Sequence, residues 1–589
     1  MEKNNEYADF SYHNSPLHIA LICGESLAVF LLLCYLISIL GFWINLPLLQ
    51  YSFIPSLVLA IIFGYVQCRK NTKIFFLVVS LLILCIAIPP TFTSQYYDFG
   101  WDSNVFHELI IISLSNGQNP IYNPDTVYLN QTHTYTSTLS PHITDISDWV
   151  RDKFIREAKG YHIIAGSFFS FTHNLQSSKS ITIIASIMSI LLFFSLLSII
   201  FTRYSPIVLF LLSIVAALNS VVICSSLSFY TDGFLYASLL SLISLLGLYF
   251  VLQKPEFLYI ALGYTLLFMN IKSTAIIFTI LLFGTFGILF YIYKRELLRK
   301  NIILILPFLT LCVVCSYHPY IYNYLHNNDV SGGALEEAQN FGDIPSSWKN
   351  LSTPEKFILS LFSKADVNPV AREHSDIKIP LLDISDREIY INDPAKVGGW
   401  GPLFSGIIII AMFFFAWQLY RVFKERKIQD NSIIFFALLV MIGITILVFP
   451  LSWYARYVPQ VALIPLLMIL PYLKSEEHLE KTIRIGLALL LLVNVLIVAY
   501  TYYTAQQQFT TVQNTVFSVV KEKAGNTIYI KYEGKPNASL FVYAYVYDLI
   551  NKGIDFKINP SDVPNGVKLP TIIERDFVAY GSIQSSHLK

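Results

Sequence analysis

The chain has 589 residues, of which 54% are hydrophobic, 15% aromatic and only 13% charged, with a mean hydropathy of +0.56. Soluble domains carry about a quarter charged residues, so this composition excludes an ordinary soluble protein and points to an α-helical polytopic membrane protein. A net charge of +1 gives no overall attraction to nucleic acid, and any anionic partner has to be met locally.

In chain order, residues 1–17 contain no cluster of Lys or Arg, and the apolar run behind them is too long for a signal-peptide core. They read as a cytoplasmic tail before an uncleaved first span. Runs of about twenty apolar residues suffice to cross a bilayer as helices. Thirteen candidates fall near 18–42, 48–67, 74–92, 181–202, 205–224, 234–252, 257–270, 273–293, 302–320, 403–420, 432–450, 460–473 and 485–503. The polar step Asn270-Ile271-Lys272-Ser273 divides 257–293 into two helices that meet at a surface.

Sidedness follows from the short loops. One alternate set (68–73, Arg203, Lys254, 294–300, 421–427 and 474–484) holds sixteen Lys and Arg, whereas the opposite set (41–47, 225–233, 270–273 and 450–460) holds only Lys272 and Arg456. That asymmetry puts the N-terminus in the cytoplasm. It puts loops 93–180 and 321–402 and the tail 504–589 on the outer face, around a transmembrane domain spanning 18–503. The tail reads as a small α/β domain, with alternating strands at 526–532 and 575–583 and a helix at 539–553. The cysteines (Cys23, Cys34, Cys68, Cys85, Cys224, Cys312 and Cys315) all lie in or beside apolar runs, which argues against a disulfide framework. Glu25 is the lone acid well inside a predicted span. Ion-coupled carriers place several ionisable groups there, so a carrier is disfavoured.

The segment 95–123, QYYDFGWDSNVFHELIIISLSNGQNPIYN, concentrates the chemistry-bearing side chains. Asp98 and Asp102 lie four apart, followed by His107 and Glu108. If a helix starts near 102–104, free backbone N–H groups hold the Asp102 carboxylate ionised, as a base or a metal ligand requires; equally, Asp102 simply caps a surface helix. Arg456, flanked by Trp453, Tyr454 and Tyr457, suits a forked grip on phosphate, and Lys272 is a second candidate; snorkelling is the alternative for both. Asp232 in SFYTDG either supports a site or caps the following helix. Asp98, Asp102 and Asp232 together leave room for a divalent cation, Mg or Mn, without a ligand spacing that demands one. After the first large loop, an amphipathic segment at 154–174 suits a helix resting on the membrane surface, and Lys159 in its polar break meets a phosphate or sugar or else solvent. Trp400 in VGGWGPLFSG is a stacking platform for a sugar or an interfacial anchor. His318 and His326 lack zinc-ligand spacing.

An acid in the first large outer loop (Asp102), then a histidine (His107), then Gly117-Gln118-Asn119-Pro120, resembles the polyprenyl-phosphate-sugar-dependent glycosyltransferases of the GT-C superfamily. The span plan resembles it too, with the departure that three spans, rather than one, precede the first large loop. The resemblance implies an envelope glycosyltransferase of the bacterial inner membrane. Its donor is a sugar on undecaprenyl or dolichyl phosphate and its acceptor a glycan, lipid or protein. Asp102 would be the base, Arg456 and Lys272 the phosphate clamps, and Asp98, His107, Asp232, Lys159 and Trp400 supporting or substrate-binding residues. Competing readings are a ligase or polymerase that uses a lipid diphosphate, and a lipid-sugar flippase.

Overall fold

The computed structural model describes residues 16–68, 71–100, 102–123, 155–330, 344–391, 395–425, 433–472 and 478–523, and four strand segments between 527 and 581. The described chain is predominantly helical. Helices α1 (Pro16–Trp43), α2 (Phe53–Gln67) and α3 (Thr72–Thr93) precede the short α4 (Glu108–Ser115) and α5 (Gly160–Thr172). Then come α6 (Ser180–Ile200), α7 (Pro206–Ala217), α8 (Ser220–Ser225), α9 (Thr231–Leu252), α10 (Pro255–Met269) and α11 (Thr274–Tyr293). Next are α12 (Arg295–Asn301), α13 (Ile305–Cys315), α14 (Tyr322–Asn327) and α15 (Thr353–Phe362), and after them α16 (Phe404–Glu425), α17 (Ile433–Val448), α18 (Ile464–Ile469) and α19 (His478–Lys523).

Local signals set many of these boundaries. The Asn71 side chain accepts the Ile74 N–H at the start of α3, and Asn219 does the same for Val222 at α8. Proline opens α7 and α10 at positions that need no N–H. Among the described residues, seven helices are long and apolar enough to cross a membrane: α1, α3, α6, α9, α11, α16 and α19. The apolar segments of α2, α7, α10, α17 and Pro459–Ile469 are shorter. The chain is thus a helical membrane protein. The step at 270–273 separates α10 from α11 as the sequence predicts.

In lipid, the tails are as apolar as leucine, so close fit and hydrogen bonds choose helix partners. Central helix α9 is buried along nearly its whole length and packs on α6, which packs on α1. Gly247 permits that approach, since a Cβ there would lie 2.9 Å from Leu196. The Ser238 hydroxyl meets the Tyr264 hydroxyl of α10 at 3.1 Å. Burial of α9 matters for the site, because its first turn carries Asp232.

Two elements differ from expectation. The segment after the first large loop is expected to rest on the membrane surface, yet α5 is buried from Gly160 through Phe168. It is apolar on more than one face, and its Phe168 ring packs edge-on against Phe53 and Phe30. The last span also continues without a break past residue 503 to Lys523. At 1.5 Å per residue its 46 residues extend about 69 Å, well beyond a hydrocarbon core of about 30 Å. The extension binds both long loops: the Tyr97 N–H donates to Thr510 Oγ1 at 3.4 Å, and Gln506 Nε2 donates to the Ile391 carbonyl at 3.1 Å.

Beyond α19, strands β1 (Thr527–Tyr532), β2 (Asp555–Ile558), β3 (Val567–Leu569) and β4 (Phe577–Gly581) form one sheet in the order β2-β1-β4-β3. β1 runs parallel to β2 and antiparallel to β4, with Ile530 opposite Ala579. The two expected strands are neighbours. The helix expected at 539–553, the N-terminal tail through residue 15, and Trp101 lie outside the described residues.

Candidate functional site at the loop ends of the helices

Four loops far apart in sequence meet at one end of the helices. Asp102 precedes a π-turn at Ser103–His107 that leads into α4. Asp232 sits in the first turn of α9, Lys272 in the α10–α11 turn, and Arg456 in a 3-10 turn at Ala455–Tyr457. Their side chains form a continuous ion network. An Arg456 terminal nitrogen lies 2.5 Å from Asp102 Oδ2, its Nε lies 2.6 Å from Asp232 Oδ2, and Lys272 Nζ lies 2.5 Å from Asp232 Oδ1.

Exposure separates the roles. The Asp232 side chain is 0% exposed, whereas Asp102 is 19%, Lys272 17% and Arg456 12% exposed. Asp232 is therefore the buried anchor that aligns two cations, and Asp102 is the carboxylate an incoming molecule can reach. Aromatic rings back the cations: the Arg456 guanidinium lies 4.6 Å from the Tyr230 ring centroid, and Lys272 Nζ lies 4.2 Å from that of Tyr457. Such contacts strengthen once water is excluded. Burial works against charge on Arg456, but Asp102 and Asp232 more than reverse it and hold its pKa well above the ordinary value. For Lys272, burial prevails over the neighbouring Asp232 and lowers the pKa.

The two aspartates do not cap helices. Asp102 stands at a cap position without a side-chain cap bond, and Asp232 lies inside the first turn of α9, past its cap Tyr230; their oxygens face cations from other loops instead. Asp102 faces the Arg456 guanidinium and Asp232 Oδ1 accepts from Lys272 Nζ at 2.5 Å; opposite charge outweighs a bond to a neutral backbone N–H, so the tertiary partner wins.

Asp98 is buried, and backbone N–H groups occupy its carboxylate: Gly100 donates to Oδ1 at 2.7 Å and Phe229 to Oδ2 at 2.6 Å. His107 Nδ1 and His162 Nε2 lie 2.8 Å apart in a buried imidazole pair. Trp400 is 2% exposed, with its ring against Phe357 and Phe404. This leaves no open face for a sugar and corrects the stacking expectation. His318 is buried, and His326 bonds within its own helix to the Tyr322 carbonyl.

Lys159 is not a solvated surface residue. It is 2% exposed, its Nζ donates to the Glu157 carbonyl at 3.3 Å, and burial pushes its pKa down to about 7 against the opposing pull of Glu157. Lys159, Asn270 and His318 line one pocket with apolar residues of α1 and α13. The neighbouring Gly160 N–H donates to the Asn270 carbonyl at 2.5 Å, and a Cβ on Gly160 would sit 2.7 Å from that oxygen. Gly160→Ala must push the α10–α11 turn, and Lys272 with it. The expected loss is about 1–3 kcal/mol of stability, measured as a lower thermal unfolding midpoint in detergent.

Among the described residues, no group of three His, Cys, Asp or Glu side chains is arranged to hold a metal ion. Of the three aspartates considered as ligands, Asp98 is committed to two backbone N–H groups, while Asp102 and Asp232 flank a guanidinium. That donor set does not fit Mg or Mn.

Tyr230 and His162 join these residues only in the fold. Tyr230 stands two residues before Asp232, and its hydroxyl accepts the Asp102 N–H at 3.4 Å. His162 lies three residues after Lys159, but its partner His107 is set only by the fold. No protein-family model matches the chain, and no curated protein matches it. The geometry alone offers one reachable carboxylate beside two cations braced by a second, buried carboxylate. Such a set can take a proton from a nucleophile while stabilising an anionic leaving group.

Proposed function

We propose that the protein is an integral-membrane glycosyltransferase that moves a sugar from a polyprenyl-phosphate donor to a glycan, lipid or protein acceptor. The observation that carries this reading is the meeting of Asp102, Asp232, Lys272 and Arg456 in one network at the loop ends of the helices. All four lie in loops that charge bias assigns to the outer face. We place the activity on the extracytoplasmic side of a bacterial inner membrane, in a chain of about thirteen spans with a cytoplasmic N-terminus and a C-terminal extracytoplasmic α/β domain.

In this mechanism, Asp102 removes the proton from the acceptor hydroxyl as its oxygen attacks the anomeric carbon. The bond from that carbon to the phosphate oxygen breaks, and the lipid phosphate leaves with the electron pair. Arg456 and Lys272 receive the charge that develops on it. The resting Arg456–Asp102 pair adds an order of events. A donor phosphate that competes for the guanidinium frees Asp102, so the base is uncovered when the leaving group is in place. Asp232 retains both cations throughout.

The test is reconstitution. Proteoliposomes given polyprenyl-phosphate-linked sugar and envelope acceptor lipid should form a new glycosidic bond and release polyprenyl phosphate. Transfer only from a diphosphate-linked oligosaccharide would replace this reading with that of a ligase or polymerase. Scrambling of labelled donor with no new bond would replace it with that of a flippase.

A further inference from the structure

The two segments that carry the site's carboxylates are joined through a third aspartate. Asp98 Oδ1 accepts the N–H of Gly100, two residues before Asp102, while Oδ2 accepts the N–H of Phe229, three residues before Asp232. Ser103 Oγ shares the Phe229 N–H at 3.2 Å, and Asn104 Nδ2 closes the loop by donating to the Gly100 carbonyl at 2.8 Å. Only glycine fits at position 100: a Cβ there would lie 2.7 Å from the Tyr230 ring and 3.1 Å from Asp98 Oδ1. Tyr230 in turn underlies the Arg456 guanidinium. A shift of either segment therefore moves a carboxylate of the ion network.

We propose that Asp98 is a positioning residue, a clasp whose ionised carboxylate holds the Asp102 and Asp232 segments in the register the network needs. The kinetic side of this inference rests on the glycosyltransferase reading; the structural side does not. The groups facing Asp98 are the Lys179 ammonium, the Tyr161 and Tyr502 phenols, the Ser103 hydroxyl and the two backbone N–H donors. Burial outweighs Lys179 and the hydrogen bonds and pushes the Asp98 carboxyl up to about 6 from an ordinary 3.8. Once protonated, the carboxyl places an O–H donor among two N–H donors, and the bridging bond on the protonated oxygen weakens.

The clasp is thus closed above about pH 6 and opens as pH falls through that value. Because the folded-state pKa is raised, the contribution of this group to stability is fully present at acid pH and is lost as pH rises through about 6. Acid opening through Asp98 is therefore separable from acid unfolding.

Two measurements on the full chain in lipid nanodiscs test the proposal. By infrared difference spectroscopy, a protonated-carboxyl band should grow in with a midpoint near pH 6 and be missing in Asp98→Asn. In transfer assays, wild type should lose activity over the same range while its thermal midpoint does not fall. Asp98→Asn should lack that acid limb and have kcat about tenfold lower at neutral pH, with Asp98→Glu partly restoring it. If Asp98→Asn retains both the band and the wild-type acid limb, the clasp is overturned. If the band titrates as expected but no donor yields product, the clasp's structural side stands and the glycosyltransferase reading fails. If Asp98→Asn does not fold, the wild-type band and acid limb decide: a limb with no band near pH 6, or a band with full activity through it, overturns the clasp.

Discussion

If the chain is the glycosyltransferase proposed, Asp102→Asn should cut transfer by about 10²- to 10⁴-fold, the range for removing a positioned general base, with a much smaller change in the KM for donor. The substitution keeps side-chain size and leaves an oxygen that can accept from Arg456, so the network retains its shape while losing its proton acceptor. The selectivity of this outcome comes from exposure. Asp102 is 19% exposed, whereas the Asp232 side chain is 0% exposed and gives an oxygen to each of two cations. Asp232→Asn should therefore act differently. It weakens the hold on Lys272 and Arg456, so the KM for donor rises along with the loss of rate. Initial rates over a range of donor concentrations separate the two. Full-rate transfer by Asp102→Asn would remove it from the base role, and equal behaviour of the two variants would remove the distinction between base and anchor.

Much of the frame is legible in the sequence because a bilayer imposes simple rules. Long apolar runs mark helices, and the scarcity of Lys and Arg in alternate loops groups 225–233, 270–273 and 450–460 with the first large loop. The fold brings residues of that grouping, Asp232, Lys272, Arg456 and Asp102, within ion-pair distance. What holds each of them is not legible, because the decisive contacts cross 40 residues for Lys272–Asp232 and more than 200 for each Arg456 pair. Local rules assign Asp102 and Asp232 to helix caps, but a guanidinium delivered from Arg456 outcompetes a backbone N–H. Asp98 reads as a ligand candidate by its spacing, and only the approach of Phe229 shows it as a bridge. Lys159 looks solvated because the helix behind it reads as amphipathic, whereas packing of that helix against α1 and α4 buries both. The last helix outruns its apolar stretch because Gln506, Thr510 and Asn514 do not break a helix and find partners on the two long loops.

Arg456 should be the least replaceable residue of the network, and its substitution separates charge from shape. One guanidinium spans two carboxylates, a terminal nitrogen on Asp102 and Nε on Asp232. Arg456→Gln leaves both acids without their shared cation, and among the described residues Lys272, paired with Asp232, is the cation that remains in the network. Breaking a buried ion pair costs about 3–5 kcal/mol. Asp102 retains access to water, so the lower end, about 3 kcal/mol, is expected here. The thermal midpoint should fall clearly, and donor turnover should be lost. Arg456→Lys keeps the charge but replaces a planar fork with a single ammonium that cannot reach both carboxylates in the same geometry. It should recover most of the stability and little of the activity. A double-mutant cycle then tests the pairing directly. Asp102→Asn combined with Arg456→Gln should destabilise by less than the sum of the single changes, because residues in one ion network do not contribute additively. Strict additivity would mean that Asp102 and Arg456 are not partners in solution. The proposed release of the base by the donor phosphate would then have nothing to act on.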